Sequence, residues 1–325
     1  MQILLFELSR VQPEESYFEK LPPLLAIVGP TAAGKTALSL QLGRLLDGEI
    51  ISADSRQVYR YMDIGTAKAT AEEQARVPHH LIDIVDPDEP YNVALYHNDA
   101  VIAIQEVSSG DKKPLVVGGS GLYVKSITGG LALPNVPPDS AYRHELEATA
   151  KNEGVESVWQ ELYRADPVAA ESIGHHNLRR MIRALEVWRL TGKPFSAGTP
   201  ASKPQWDVIT VGLTMDRGLL YNRIDRRVEW MVENGIIDET RQLLDMGYGW
   251  ELPSMSGLGY RQVGEYLRGE SSLDEAIQKI KHQTHRYARQ QYTWFRLDDP
   301  KIQWFDASKE GIIDAVHDYV IARLN

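Results

Sequence analysis

Short unbroken apolar runs alternate along this chain with longer stretches in which apolar residues recur every three or four positions. Leu24-Leu-Ala-Ile-Val28, Gly48-Glu-Ile-Ile-Ser-Ala-Asp54, His80-Leu-Ile-Asp-Ile-Val85, Pro114-Leu-Val-Val-Gly118 and Val208-Ile-Thr-Val-Gly-Leu213 are the runs, and they predict short buried strands. Helical spacing marks Ala37 to Leu46 and Tyr91 to Val107 between them. Strands alternating with helices predict an α/β fold, a parallel sheet wrapped by helices on both faces. Ligands of such sheets lie beyond the carboxyl ends of the strands.

The pattern changes at Leu133-Pro-Asn-Val-Pro-Pro138, a stiff connector. From Ser140 to about Gly192 it is helical, with Trp159, Leu162, Ile182, Leu185 and Trp188 on apolar faces. A second break runs from Gly192-Lys-Pro194 to Lys203-Pro204, and Leu219 to Leu324 again reads as helical. The expected organisation is an N-terminal extension at 1–20, a first part of the α/β core at 21–133, an inserted all-helical domain at 134–204, and a return to the core with C-terminal helices at 205–325.

Composition narrows the chemistry. A chain of 325 residues with 43% hydrophobic and 25% charged residues is that of an ordinary globular protein. Cysteine is absent, which removes disulfides, Cys-ligated zinc, iron–sulfur clusters and a thiol nucleophile together. The N-terminus has no basic segment before its apolar patch and no run reaches the length of a membrane span, so no membrane is involved and the cytosol is the expected location. The net charge of -10 argues against non-specific adhesion to nucleic acid, although Arg179-Arg180-Met-Ile-Arg183 and Lys281 to Arg296 are local basic segments.

The strongest motif is Gly29-Pro30-Thr31-Ala32-Ala33-Gly34-Lys35-Thr36, the pattern G-x-x-x-x-G-K-[ST] between a strand and a helix. Its backbone N–H groups converge on an anion, Lys35 adds a positive charge, and the Thr36 hydroxyl suits a Mg2+ ion bridging phosphates. The next strand ends in Asp54-Ser55-Arg56-Gln57. A carboxylate there can hold the magnesium through water, cap a helix or act as a general base, and its neighbours offer the mixed donors and acceptors that read a base edge. Gly118-Gly-Ser120-Gly-Leu-Tyr123 permits close approach to a ligand with a hydroxyl at hand, and Ser256-Gly-Leu-Gly-Tyr-Arg-Gln262 adds Tyr260 for stacking and Arg261 for a phosphate or base. The histidines lack the spacing of a zinc protease and read as surface or capping residues.

Taken in order, these motifs resemble the tRNA dimethylallyltransferases, the IPP transferase family, of bacterial type. The resemblance includes Asp54 to Tyr59, Asp63-Ile-Gly-Thr-Ala-Lys68, Pro78-His-His-Leu-Ile-Asp83, Arg183-Ala-Leu-Glu-Val187, Gly259-Tyr-Arg-Gln262 and Arg286 to Arg296, and it spans nearly everything after residue 20. Two positions depart from the family pattern: Ser120 stands where Thr is usual, and Gly174-His-His-Asn177 where His-Pro-Asn-Asp is common.

The resemblance implies a P-loop NTPase-like fold and transfer of a dimethylallyl group from dimethylallyl diphosphate to N6 of the adenosine 3′ to the anticodon, in tRNAs reading codons that begin with U. It implies that the phosphate loop holds this diphosphate rather than ATP, with Mg2+, that Asp54 is the base, and that Lys35, Thr36 and an arginine between Arg217 and Arg227, here Arg223, neutralise the leaving group. The implied tRNA contacts are Asp54, Ser55, Arg56, Gln57, Ser120, Arg143, Arg179, Arg180, Met181, Ile182, Arg183, Gly257, Leu258, Gly259, Tyr260, Arg261 and Gln262, and a monomer is expected. The competing readings are a small-molecule P-loop kinase using ATP, with Asp54 activating an acceptor hydroxyl, and a non-catalytic RNA-binding P-loop protein.

Overall fold

The computed structural model describes residues 21–129, 136–137, 139–198 and 204–324. The expected extension at 1–20 and most of the connector at 133–138 lie outside these residues. The first part of the core runs β1 (Pro23–Val28), α1 (Lys35–Leu45), β2 (Gly48–Ser52), α2 (Ala71–Arg76), β3 (His79–His80), α3 (Val93–Ser109), β4 (Lys113–Gly118) and α4 (Gly121–Thr128). Four helices follow, α5 (Ser140–Glu153), α6 (Val155–Ala165), α7 (Pro167–Ile173) and α8 (Leu178–Thr191). The chain then returns with β5 (Asp207–Thr214), α9 (Arg217–Glu233), α10 (Ile236–Asp245), α11 (Tyr260–Leu267), α12 (Leu273–Trp294), β6 (Ile302–Asp306) and α13 (Ile312–Leu324).

The strands form one sheet in the order β3-β2-β4-β1-β5-β6, with every neighbouring pair parallel. Alternation within the strands splits the core in two, because successive side chains leave opposite faces. Leu25, Ile27, Ile50, Leu115, Ile209, Val211 and Leu213 pack with α1, α9, α12 and α13, whereas Leu24, Val28, Ile51 and Val116 pack with α3 and α4. The expected helices on both faces follow from this division.

Two expectations need correction. The stretch from 219 onward is not helical throughout: Ile302-Gln-Trp-Phe-Asp306 pairs with β5 as the sixth strand, from Thr210↔Ile302 to Thr214↔Asp306. The run His80–Val85 is not one strand either. Only His79 and His80 join the ladder, and Leu81 and Asp83 take positive φ angles of 62° and 56°. The chain turns there because the buried Lys68 ammonium draws Asp83 in, pairing also with Asp63 and donating to Tyr59 O at 2.9 Å.

Helices α5 to α8 enclose their own cluster, with Leu146, Leu162, Met181 and Leu185 at its centre. Glu186 is completely buried beneath it, where Arg143 binds both its oxygens at 2.6 and 2.8 Å, Arg183 approaches at 3.4 Å and Asp139 N–H donates at 2.9 Å. A buried carboxylate is tolerated only with such saturation, and its pKa accordingly stays below the usual range although burial pulls the other way.

Candidate active site

The carboxyl ends of β1, β2, β4 and β5 meet at one rim. From β1 the chain enters the phosphate loop, where Gly29 has φ +140° and a β-carbon would sit 2.4 Å from Leu213 O, so only glycine fits against β5. Gly34 has φ +96° and opens α1, whose first turn leaves its N–H groups facing the cavity. Lys35 Nζ donates to Gly29 O (3.0 Å) and Pro30 O (2.8 Å). Burial, helped by Arg227 and opposed by Asp54, lowers its pKa to about 8.

From β2, Asp54 turns back on itself: its Oδ1 accepts the Arg56 N–H at 2.9 Å, so it caps no helix. Ser120, at the start of α4, accepts the Ser55 N–H at 3.0 Å through Oγ and locks the β4 end to the β2 end. Gln57 donates to Thr66 O and Ala67 O and accepts from Ser52, so its amide is occupied within the rim. Arg56 clasps the loop before α11 through Pro253 O at 2.6 Å.

Two cavities open at this rim. One, of about 440 Å3, is lined by the phosphate loop from Thr31 to Thr36 together with Asp54, Arg223, Arg227, Tyr287 and Gln291. The other, of about 300 Å3, is lined by Ser55, Arg56, Gly257, Leu258, Tyr260 and the inner faces of α9 and α12. They share Thr31, Asp54, Thr66, Arg227 and Tyr287, which places the Asp54 carboxylate where they meet. The guanidinium of Arg223 lies over Gly34, Nη1 being 3.8 Å from where a β-carbon would stand. Thus Arg223 belongs to the phosphate cavity alone, and Arg227, one turn further along α9, to both.

The other residues singled out in the sequence divide. Arg179 and Arg180 are exposed on α8 with no carboxylate partner among the described residues, whereas Met181 and Ile182 are buried in the helical cluster and present no side chain to a ligand. Arg143 and Arg183 are committed to Glu186. Tyr260 is not an open stacking platform: it is buried, its hydroxyl donates to Glu239 Oε1 at 2.6 Å, and it meets the second cavity as part of the wall. Gln262 is buried as well, accepting from Gly259 N–H and donating to Gln283, and exposed Arg261 pairs with Glu265.

Four functional residues escaped the reading of the sequence as individuals. Gln291 accepts the Thr31 N–H (2.8 Å) and donates to Gly119 O (3.0 Å), tying the phosphate loop to the β4 turn. Burial and the Asp54 charge push the Tyr287 phenol up, against the Ser120 hydroxyl. Arg227 lies between the cavities. Glu239 on α10 accepts from the N–H groups of Asp63, Ile64 and Gly65 and from Tyr260, fixing a loop that lines the second cavity.

Comparisons with known proteins agree with the fold described above. A family model described as IPP transferase matches residues 57–298. A tRNA dimethylallyltransferase of Roseiflexus castenholzii is 53% identical over 274 residues, 84% of this chain and 90% of that protein. The crystal structure of a full-length tRNA isopentenylpyrophosphate transferase from Bacillus halodurans, 44% identical, superposes with a TM-score of 0.70 over 94% of this chain and 97% of its own. A eukaryotic dimethylallyltransferase acting on tRNA, 24% identical, shares the fold with a TM-score of 0.78 over 93% of this chain and 80% of its own. No described helix is long and apolar enough to cross a membrane. With the family model covering most of its length and close relatives covering nearly all of it, the chain belongs to the IPP transferase family, among the tRNA dimethylallyltransferases.

Proposed function

We propose that this chain transfers the dimethylallyl group of dimethylallyl diphosphate to N6 of the adenosine at tRNA position 37, with diphosphate bound in the phosphate-loop cavity and Asp54 as the base. The observation that carries the assignment of roles is the meeting of a phosphate cavity and a second cavity at one carboxylate. The C1–O bond breaks with its electron pair leaving on diphosphate, the N6–C1 bond forms, and the N6 proton passes to Asp54. The second oxygen of Asp54 is left for that proton because Oδ1 is held by Arg56 N–H. Charge building on the leaving oxygen is met by the loop N–H groups, Lys35, Arg223 and Arg227, all on the wall of the phosphate cavity. Family membership decides against the kinase reading of the same loop.

Magnesium fits the phosphate cavity. The Thr36 hydroxyl stands on its wall, and among the described residues no group of three or more His, Asp or Glu is placed to hold an ion. Thr36 would be the residue that holds such an ion beside a bound diphosphate. When bound, it would neutralise part of the diphosphate charge.

The target adenine has to leave its stack to reach Asp54. Ser55, Arg56, Gly257 and Leu258 line the way in through the second cavity. Arg179 and Arg180, exposed on α8, supply phosphate contacts, while Arg143 and Arg183 act by holding α5 and α8 together over Glu186. Incubation with labelled dimethylallyl diphosphate, Mg2+ and unmodified tRNA, followed by nucleoside analysis, tests the reading: label on N6 of one adenosine is expected, and label released only as free alcohol refutes it.

A further inference from the structure

Helices α9 and α12 both grade from polar to apolar across the two cavities. On α9, Arg223 meets the phosphate cavity only, Arg227 both cavities, and Ile224, Val228 and Met231, on the adjoining face, the second cavity only. On α12 the order runs the other way along the chain: Gln291 meets the phosphate cavity only, Tyr287 both, and Thr284 and then apolar Ile280 the second only. Ile224, Val228, Met231 and Ile280 are all buried members of one apolar cluster. An allylic diphosphate laid along this gradient has its phosphates at Arg223, C1 at the level of Arg227 and Asp54, and its hydrocarbon against Val228 and Met231.

From these positions we infer that Met231, with Ile280 beside it, is the floor that limits the transferred group to five carbons, an inference resting on the transferase reading above. The dimension decides. Met231 is four residues beyond Arg227, a helical rise of about 6 Å. A dimethylallyl chain reaches about 4 Å from C1 to its methyls, being three bonds of about 1.5 Å, and a ten-carbon geranyl chain about 9 Å. The first fits above the methionine and the second does not. Met is unbranched and flexible, so its truncation lengthens the pocket without removing a polar group.

The test is competition between dimethylallyl diphosphate and geranyl diphosphate on unmodified tRNA, read as N6-modified nucleosides. In both reactions the C1–O bond breaks onto diphosphate and the N6 proton goes to Asp54, so only the hydrocarbon differs. The wild type should transfer five carbons almost exclusively. M231A should raise the ratio of ten-carbon to five-carbon kcat/KM by at least about tenfold, the scale of one or two methylenes in an apolar pocket. A folded M231A that transfers five carbons with an unchanged ratio overturns the inference and leaves the transferase reading intact. A wild type that transfers neither group defeats both. Should M231A fail to fold, I280F carries the test from the other side: the KM for dimethylallyl diphosphate rises at least about tenfold while affinity for inorganic diphosphate is kept, and an unmoved KM refutes the floor.

Discussion

Replacing Gln291 by leucine keeps the side chain's bulk and removes the amide that joins the phosphate loop to the β4 turn. Two bonds go, Thr31 N–H to Oε1 at 2.8 Å and Nε2 to Gly119 O at 3.0 Å. Gly119 is buried, so its carbonyl is left without a partner at a cost of about 1–3 kcal/mol. Thr31 is only half-buried, water replaces its partner, and its loss is held to about 0.5–1.5 kcal/mol. A combined loss of about 1.5–4.5 kcal/mol is a large share of the roughly 5–15 kcal/mol that holds a protein folded. It should lower Tm by about 2–7 °C. The released loop must also be ordered again when diphosphate binds, so the KM for dimethylallyl diphosphate should rise about tenfold, or 1.4 kcal/mol. Gln291→Glu separates the two bonds: it keeps the acceptor for Thr31, loses the donor to Gly119 and places a negative charge beside the diphosphate, so its KM should exceed that of the leucine variant. Thermal denaturation with and without diphosphate, together with steady-state kinetics, measures both effects. A leucine variant with wild-type Tm and wild-type KM would refute the assignment of Gln291 as the tie.

Lys35 makes diphosphate binding depend on pH. Its ligand-free pKa of about 8 lies below the ordinary lysine value, and a bound diphosphate raises it, so binding takes up a proton above that pH. The ester's last proton is lost near about pH 6. Affinity should therefore be steady between about pH 7 and 8 and fall by up to about tenfold per unit above, a break that Lys35→Arg removes. Titration calorimetry across pH 7 to 9.5 checks it, and a flat wild-type profile would contradict it. For the RNA, replacing Arg179 and Arg180 together by alanine should weaken tRNA binding and reduce the slope of log K against log salt by about 1.4–1.8, two phosphate contacts' worth. An unchanged slope would return both arginines to an ordinary solvated helix face.

Much of the fold was legible because it is written in local pattern. The apolar run Leu24–Val28 followed by the phosphate motif and the periodic Ala37–Leu46 dictates a strand, loop and helix with little help from elsewhere. The edge strand β6 escaped because its five residues follow a long helix, are only partly buried and lack clear alternation. Asp299-Pro300 before a run of Ile, Trp and Phe was the available signal. His80–Val85 looked like a full strand because the pull of Lys68 on Asp83 arises only in three dimensions.

The site shows the same division. Residues inside a compact motif, such as Lys35, Thr36 and Asp54, could be named, whereas Gln291 and Glu239 act on backbone groups far away in the chain, 260 residues in the case of Gln291 and Thr31. Tyr287 and Gln291 stand four apart within the recognised segment 286–296, a spacing that marks them as neighbours on one face of α12. Nothing local says that this face turns toward the phosphate loop. Similarly, Tyr260 in a glycine-rich segment invites a stacking role, and only the position of Glu239 reveals that its hydroxyl is already bound.

The central claim, that one carboxylate at the meeting of the two cavities takes the proton of the adenine amine, is tested most directly by Asp54→Asn under single turnover with saturating tRNA and dimethylallyl diphosphate. The rate of N6 modification should fall by about 10²- to 10⁴-fold, while the Kd for tRNA and the affinity for diphosphate stay within about twofold, well under the tenfold that 1.4 kcal/mol represents. A modification rate near that of the wild type, or a loss of tRNA affinity as large as the loss of rate, would contradict it.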